Sequence, residues 1–414
     1  MITLRPRLIC IHHRLSGMTG HRFTEALGLV AAARKRGMPS LLFISAQADA
    51  AVRAALPGAR AVLHDPVFRT ELSFDERTRA FIDLLHEHVD PELGQDDLLL
   101  LTVATQCEAR ALTVWLASLP ERKRPWTLVL AVSDRWNRYG PAERERQVAE
   151  FRTLAADLAA VGNDVRQRLI FTTVTEGLRD ELTSLLGIPV LLVAMAINVD
   201  TIIPGPDRPA RRRPVAGFAG GTRQEKGSHR IPAIIAACRR LGDVDFTLQL
   251  TNELLSEDTF GELCRLCNEP GIQGVHGPLD CTVYCDMLAG LDLVLLPYDR
   301  VPYRRRTSSI LMEAALMALP VVVPDQTWMA DQVAAGTAVG IVYEGEDCES
   351  IAAAVMRCIA DLPVLSARAR ALGPYWRQRH GIEPFFDWLE CEISRRHAAV
   401  SPRSPYAGTT GSSL

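Results

Sequence analysis

The chain has 414 residues, a length for two or three domains of ordinary size. Apolar residues make 48% and charged residues 23%, which excludes global disorder, and a net charge of −3 excludes a chain-wide pull toward nucleic acid or an anionic membrane. The N-terminal MITLRPRLICIHH carries no signal-peptide apolar core, and no apolar run reaches the roughly 20 residues that span a bilayer. Ten cysteines without a short dense framework point to reduced thiols and a cytoplasmic protein.

Leu8 to Ile11 reads as a first buried strand. A polar loop with two glycines, Gly17 and Gly20, follows it. Thr24 to Lys35 is an Ala-rich helix closed by Gly37, and Leu41 to Ile44 is the next strand. This βαβ order implies right-handed crossovers and a parallel sheet. The order repeats through strand Leu98 to Val103, helix Glu108 to Leu119, strand Leu128 to Val132 and the charged helix Pro141 to Ala160. Strand Leu169 to Val174, helix Glu176 to Leu186 and strand Val190 to Val193 close a first domain over 1–200.

The stretch 201–214 reads as a linker, since PGPDRPARRRP holds four prolines, a glycine and four arginines and cannot form a regular element. A second domain is expected over 215–383. It opens with strand Val215 to Ala219, a turn at Gly220 and Gly221, helix His229 to Leu241 and strand Phe246 to Leu250. Helix Ser256 to Asn268, strand Gln273 to His276, helix Cys281 to Ala289 and strand Leu291 to Pro297 follow. Helices are expected over Cys348 to Asp361, Leu365 to His380 and Pro384 to Arg396, the last packing back on the first domain, with a disordered tail over 398–414. Two doubly wound Rossmann-like domains would place a cleft between the C-terminal edges of two sheets.

The stretch around which the chain is organised is Thr307 to Pro324, TSSILMEAALMALPVVVP. Three hydroxyl residues, the preferred helix caps, open a helix that breaks at Pro320 into a β-branched strand. A helix start offers free backbone N–H groups and the positive dipole end, an anion site. Glu313 lies about one and a half turns in, where a carboxylate can bond a sugar diol. Upstream, Gly220, Gly221, Arg223 and Lys226 form a strand-to-helix turn able to admit and neutralise a phosphate, or an ordinary turn with solvated charges. Gly17 to His21 offers the same two readings in the first domain. Cys264-x-x-Cys267 with Cys281-x-x-x-Cys285 has the look of a zinc set, but each pair falls inside an amphipathic helix, so core thiols are the better reading. The arginines of 211–213 lack interleaved aromatics, so no nucleic-acid partner is expected.

Several segments in order resemble the retaining GT-B glycosyltransferases of the large group 1, family 4-like, class. They are Gly17 to Phe43; the helix opening Thr172 to Leu182; Ala196-Ile197-Asn198-Val199-Asp200; Phe218-Ala219-Gly220 with Glu225-Lys226-Gly227; Asp292 to Pro297; and Glu313-Ala314 with Leu319 to Val323. The resemblance covers about residues 8 to 395. It implies an α/β GT-B fold and a hexosyl-type glycosyltransferase that moves a sugar from a nucleotide-sugar donor to a glycan, lipid-linked or small-molecule acceptor with retention. Polysaccharide biosynthesis in the cytoplasm, with a peripheral contact at the inner membrane face left open, fits that class.

By the same resemblance the second domain binds the donor and the first the acceptor. Lys226 would hold the diphosphate, Ser308, Ser309 and Ile310 would present N–H groups to it, and Glu313 would bind the ribose. Gly17, Gly20, Gly220, Arg223 and Arg305 complete the expected donor site, and no metal or other cofactor is implied. Two positions depart from the pattern. Arg305 stands where the family carries a glutamate near the donor sugar, and Gly221 stands where it carries an arginine, with Arg223 offset by two. The catalytic residue stays open; His12, His13, His21, Asp134 and Arg135 sit at expected strand ends. Two alternatives accompany the transferase: a catalytically silent GT-B binding protein and a sugar-nucleotide epimerase.

Overall fold

The computed structural model describes residues 6–18, 20–66, 69, 71–94, 96–129, 141–204, 213–251 and 255–400. Its first half alternates β1 (Leu8–His12), α1 (His21–Lys35), β2 (Ser40–Ser45), α2 (Ala50–Ala55), β3 (Arg60–Leu63), α3 (Phe74–Leu84) and β4 (Leu98–Leu101). It continues through α4 (Gln106–Ser118), β5 (Trp126–Val129), α5 (Pro141–Ala160), α6 (Asn163–Arg168), β6 (Leu169–Thr173), α7 (Glu176–Leu186) and β7 (Val190–Leu192). These strands pair, all in parallel, in the order β3-β2-β1-β4-β5-β6-β7. Helices cover both faces, so β1 and β4 are buried along their whole length and read as unbroken apolar runs.

The second half begins with β8 (Val215–Phe218), α8 (Ile231–Leu241), β9 (Asp245–Leu250), α9 (Glu257–Leu266), β10 (Ile272–His276), α10 (Cys281–Ala289) and β11 (Leu293–Leu295). Then come α11 (Arg300–Tyr303), α12 (Ser309–Leu316), β12 (Val321–Pro324), α13 (Trp328–Ala334), β13 (Gly340–Tyr343), α14 (Cys348–Ala360), α15 (Leu362–His380) and α16 (Ile382–Val400). Its six strands run parallel in the order β10-β9-β8-β11-β12-β13. Both sheets are doubly wound, and their C-terminal edges face one cleft.

Helix starts are fixed by local chemistry. Ser73 with Glu76 and Thr105 with Glu108 form reciprocal capping boxes at α3 and α4. Gly187 ends α7 in the left-handed region, at φ 66°.

The chain crosses between the halves twice. Ile197 N–H donates to His380 C=O at 2.8 Å, and Arg377 donates to the carbonyls of Val199 and Ile202, so the outgoing and returning segments are tied together. After the return, α16 lies on the first half. Ile382, Phe385, Phe386 and Leu389 pack with Leu8, Ala26 and Leu29 in one core. A Cβ at Gly28 would overlap Ile382, so the glycine lets α1 and α16 approach. Arg36 adds ion pairs to Glu383 at 2.8 Å and Asp387 at 2.7 Å.

Several element bounds differ from the sequence expectations. The strand expected at Leu128 to Val132 runs over Trp126–Val129, and 130–140 lie outside the described residues. α16 reaches Val400, past the tail start expected at 398, and 401–414 lie outside the described residues, as do 205–212 of the expected linker. α2, β3, α3, α6, α11, α13 and β13 were not anticipated. β3 is Arg-Ala-Val-Leu and β13 Gly-Ile-Val-Tyr, runs too short to show a period. Among the described residues no single helix is long and apolar enough to cross a membrane.

Candidate functional site

The second half builds its side of the cleft from two chain segments. After β8, Gly220 adopts φ 87°, where an L side chain is strained. A Cβ there would also lie 2.9 Å from Ile310 Cδ1 and 3.0 Å from Lys226 Nζ. Glycine therefore lets the lysine and the start of α12 converge. The turn is held from below: Gly220 N–H donates to Gln249 Oε1 at 2.6 Å, and Thr222 N–H to Thr251 Oγ1 at 3.0 Å. Gly227, at φ 73°, ends the short 3-10 turn that carries Lys226, whose ammonium lies 5.7 Å from the Tyr298 ring centroid.

The second segment is α12. Ser308 caps it, its side chain accepting from Leu311 N–H at 3.2 Å. The N–H groups of Ser309 and Ile310 lie in the first turn, outside the intrahelical ladder. Apolar residues on nearly every face bury the helix, and Glu313 is its one charged residue. Tyr284 of α10 donates its hydroxyl to the Glu313 carboxylate at 2.5 Å. Burial pushes the Glu313 pKa up to about 7, against the pull of the Tyr284 hydrogen bond and the Lys226 ammonium. Burial, and then Glu313 itself, raises the Tyr284 pKa well above its ordinary value.

The first half contributes Met18, Gly20, Arg22 and Thr24 around the start of α1, with Val174 and Leu178 at the start of α7. Gly20 precedes α1 at φ 79°, with open space where a Cβ would stand. Between the two halves lies a cavity of about 600 Å³. Gly20, Gly220, Arg223, Lys226, Arg305, Ser308, Ser309, Ile310 and Glu313 all line it.

Other predicted residues lie elsewhere. Gly17 is not among the described lining residues; its neighbours Met18 and Gly20 are. His12 is 1% exposed, with Nε2 3.7 Å from the Glu25 carboxylate, so this catalytic candidate is buried behind the cavity wall by its place on β1. His13, equally buried, stands 3.0 Å from Glu108. Burial opposes ionisation of Glu108, but Arg14, His13 and Thr105 together hold its pKa well below the carboxylate range. This cluster supports the first loop from beneath. His21 begins α1, and its side chain is outside the described ones, as are Asp134 and Arg135 altogether.

Arg305 does not reach freely into the cavity. It pairs with Glu181 of α7, and Thr175 Oγ1 donates to its carbonyl at 2.7 Å, so it bridges the two halves. The cysteines divide: one pair is core-packed as expected and the other is not. Cys264 and Cys267 are half-buried against the second core, whereas Cys281 and Cys285 are half-buried at the cavity wall, because that side of α10 faces the cleft. Among the described residues no group of His, Cys, Asp and Glu is arranged to hold a metal ion.

Sequence reasoning missed Arg22, Gln249, Thr251 and Tyr284. The alternation Thr247, Gln249, Thr251, along β9 and one residue past its end, was a readable signal for the second and third: a buried polar row needs a polar target. Tyr284 carried none, since its partner Glu313 lies on another helix.

No family model matches the chain, and no curated protein matches it by sequence. Solved structures do match over nearly the whole length. Sucrose-phosphate synthase from Thermosynechococcus elongatus superposes with a TM-score of 0.65 at 12% identity, covering 96% of this chain and 100% of that one. Anabaena HepE in complex with UDP gives 0.64 at 14%, covering 94% and 100%. The catalytic domain of starch synthase IV from Arabidopsis thaliana, bound to ADP and acarbose, gives 0.59 at 12%, covering 95% and 100%. The fold is GT-B. In GT-B terms, the cavity lies in the interdomain cleft, the glycine turn and α12 belong to the C-terminal half, and α16 returns to the N-terminal one.

Proposed function

We propose that this GT-B chain is a glycosyltransferase that moves a hexosyl group from a nucleotide-sugar donor to a sugar-containing acceptor with retention, within cytoplasmic polysaccharide biosynthesis. The observation that carries the reading is the convergence of Lys226, the α12 start and Glu313 on one cavity. A diphosphate fits between the Lys226 ammonium and the Ser309 and Ile310 N–H groups, with Arg223 beside it. Glu313 accepts from the ribose diol in its ionised form, while Tyr284 fixes its orientation. The names of solved GT-B neighbours, in complex with UDP, UDP-glucose or ADP, support a nucleotide in this cleft.

The same groups serve the reaction. As the bond from the sugar C1 to the diphosphate oxygen breaks, negative charge grows on the leaving phosphate. Lys226 and the helix start stabilise that charge in a partly desolvated site. The acceptor hydroxyl attacks C1 on the face the diphosphate leaves, and its proton passes to the departing phosphate oxygen. Retention by this route needs no protein base, in keeping with the burial of His12 and His13.

The test is thermal shift and calorimetric titration with UDP, GDP and ADP, followed by turnover of radiolabelled nucleotide sugars. One nucleotide should bind, and Lys226→Ala and Glu313→Gln should each weaken it roughly ten- to a hundredfold, the range of one charge-assisted hydrogen bond. Normal folding with wild-type affinity in both variants removes the site from this cleft. A second reading, a silent nucleotide-sugar-binding protein, rests on Arg305, which stands where the resembled family has a carboxylate and is engaged with Glu181. Nucleotide binding without turnover across the donor panel would favour it.

A further inference from the structure

The cavity is more cationic than a nucleotide-sugar requires. Its described lining residues include the cations Arg22, Arg223, Lys226, Arg305 and Arg306, against the single carboxylate Glu313. Arg305 is engaged by Glu181. Arg223 and Lys226 suffice for a sugar diphosphate, which carries about two negative charges. Arg22 and Arg306 remain.

Both are placed for a ligand. Arg22 sits in the first turn of α1, half-buried, with one long hydrogen bond of 3.4 Å to the Arg14 carbonyl. Two carboxylates act on it without a hydrogen bond to it: Asp65, which pairs with Arg14 at 3.3 Å, and Glu25, 3.7 Å from His12 Nε2. Burial and then Arg14 disfavour its charged form, Glu25 and Asp65 favour it, and Arg223 opposes it from across the cleft; the net effect is downward. Arg306 stacks 4.9 Å from the Tyr303 ring centroid, which leaves its planar fork directed by packing. Its Nη1 is buried with no hydrogen-bond partner among the described residues. Cations gathered in a partly desolvated cavity are costly unless an anion joins them.

We infer that Arg22 and Arg306 form a second anion subsite, and that the acceptor is an anionic sugar bearing a phosphate or carboxylate. This rests on the transferase reading and names its acceptor class. The acceptor, rather than the donor, is assigned the anion because Arg22 belongs to the N-terminal half, across the cavity from the Lys226 turn. Arginine suits the role, since its fork matches carboxylate and phosphate oxygens in pairs.

The test loads the protein with whichever of UDP, GDP and ADP binds and titrates glucose 6-phosphate, glucuronate and glucose by calorimetry. At least one anionic sugar should bind about tenfold more tightly than glucose, the scale of one charge-assisted contact. Arg22→Gln and Arg306→Gln should each erase most of that preference. Equal binding of glucose, no binding of either anionic sugar, or an unchanged preference in both variants overturns the inference. UDP-glucuronate that outbinds UDP-glucose, with anionic sugars no better than glucose, moves the anion to the donor and also overturns it. If no nucleotide binds, the transferase reading fails, and the same titrations on the unloaded protein decide the subsite separately.

Discussion

Tyr284 donates a hydrogen bond to Glu313 and Lys226 stands nearby, yet burial still leaves the carboxyl with a pKa of about 7. The ordinary glutamate value is roughly 4.3. Between those values the folded protein holds a proton that the unfolded chain has released. The stability this group gives is therefore complete below the unfolded value and is lost as pH rises through the folded one. Glu313→Gln removes that loss. Urea denaturation from pH 5 to pH 8 should show the variant gaining on wild type as pH rises, while its nucleotide affinity at pH 8 is the weaker. A constant stability difference at every pH would mean that this carboxyl titrates normally. The gain and the loss together mark a side chain kept for binding at a cost to the empty protein.

At the scale of elements, α12 links the core to the cleft. Its apolar residues are buried and its start faces the cavity, so a fault in the cap acts on both. Ser308→Ala removes the acceptor for Leu311 N–H. It should cost about 0.5–2 kcal/mol in chemical denaturation and weaken nucleoside diphosphate binding as the first turn frays. Full stability with full affinity would show that the turn is held by other means. This helix and strand β12 were legible in the sequence because hydroxyl caps, a helix-forming run and a β-branched run follow one another without interruption. Lys226 and Glu313 were legible for the same reason, each being defined by a local turn or helix start. β3 and β13 were not, since four residues show no period. Arg305 lines the cavity, but its pairing with Glu181 is a relation between distant segments that local pattern cannot hold. The buried histidines failed likewise. A strand end looks alike in sequence whether it opens on a cleft or closes under Glu108 and Glu25.

Across the whole molecule, the halves are joined by two crossings, by the Arg305 bridge and by α16, which belongs to the first core although it follows the second in sequence. Phe386, wholly buried there, tests the point. Phe386→Ala should cost about 3–5 kcal/mol. Hydrogen exchange should place the loss in β1, β2 and α1 more than in the sheet around β8. Equal loosening of both sheets would show that they melt as one unit. The position of α16 also bears on how the protein is made. A nascent chain leaving the ribosome presents the surface of α1 and β1 long before residues 382–400 exist to cover it. At roughly 5–20 residues per second, the interval is tens of seconds. Throughout it an apolar face awaits its last helix, open to chaperones and to other unfinished copies.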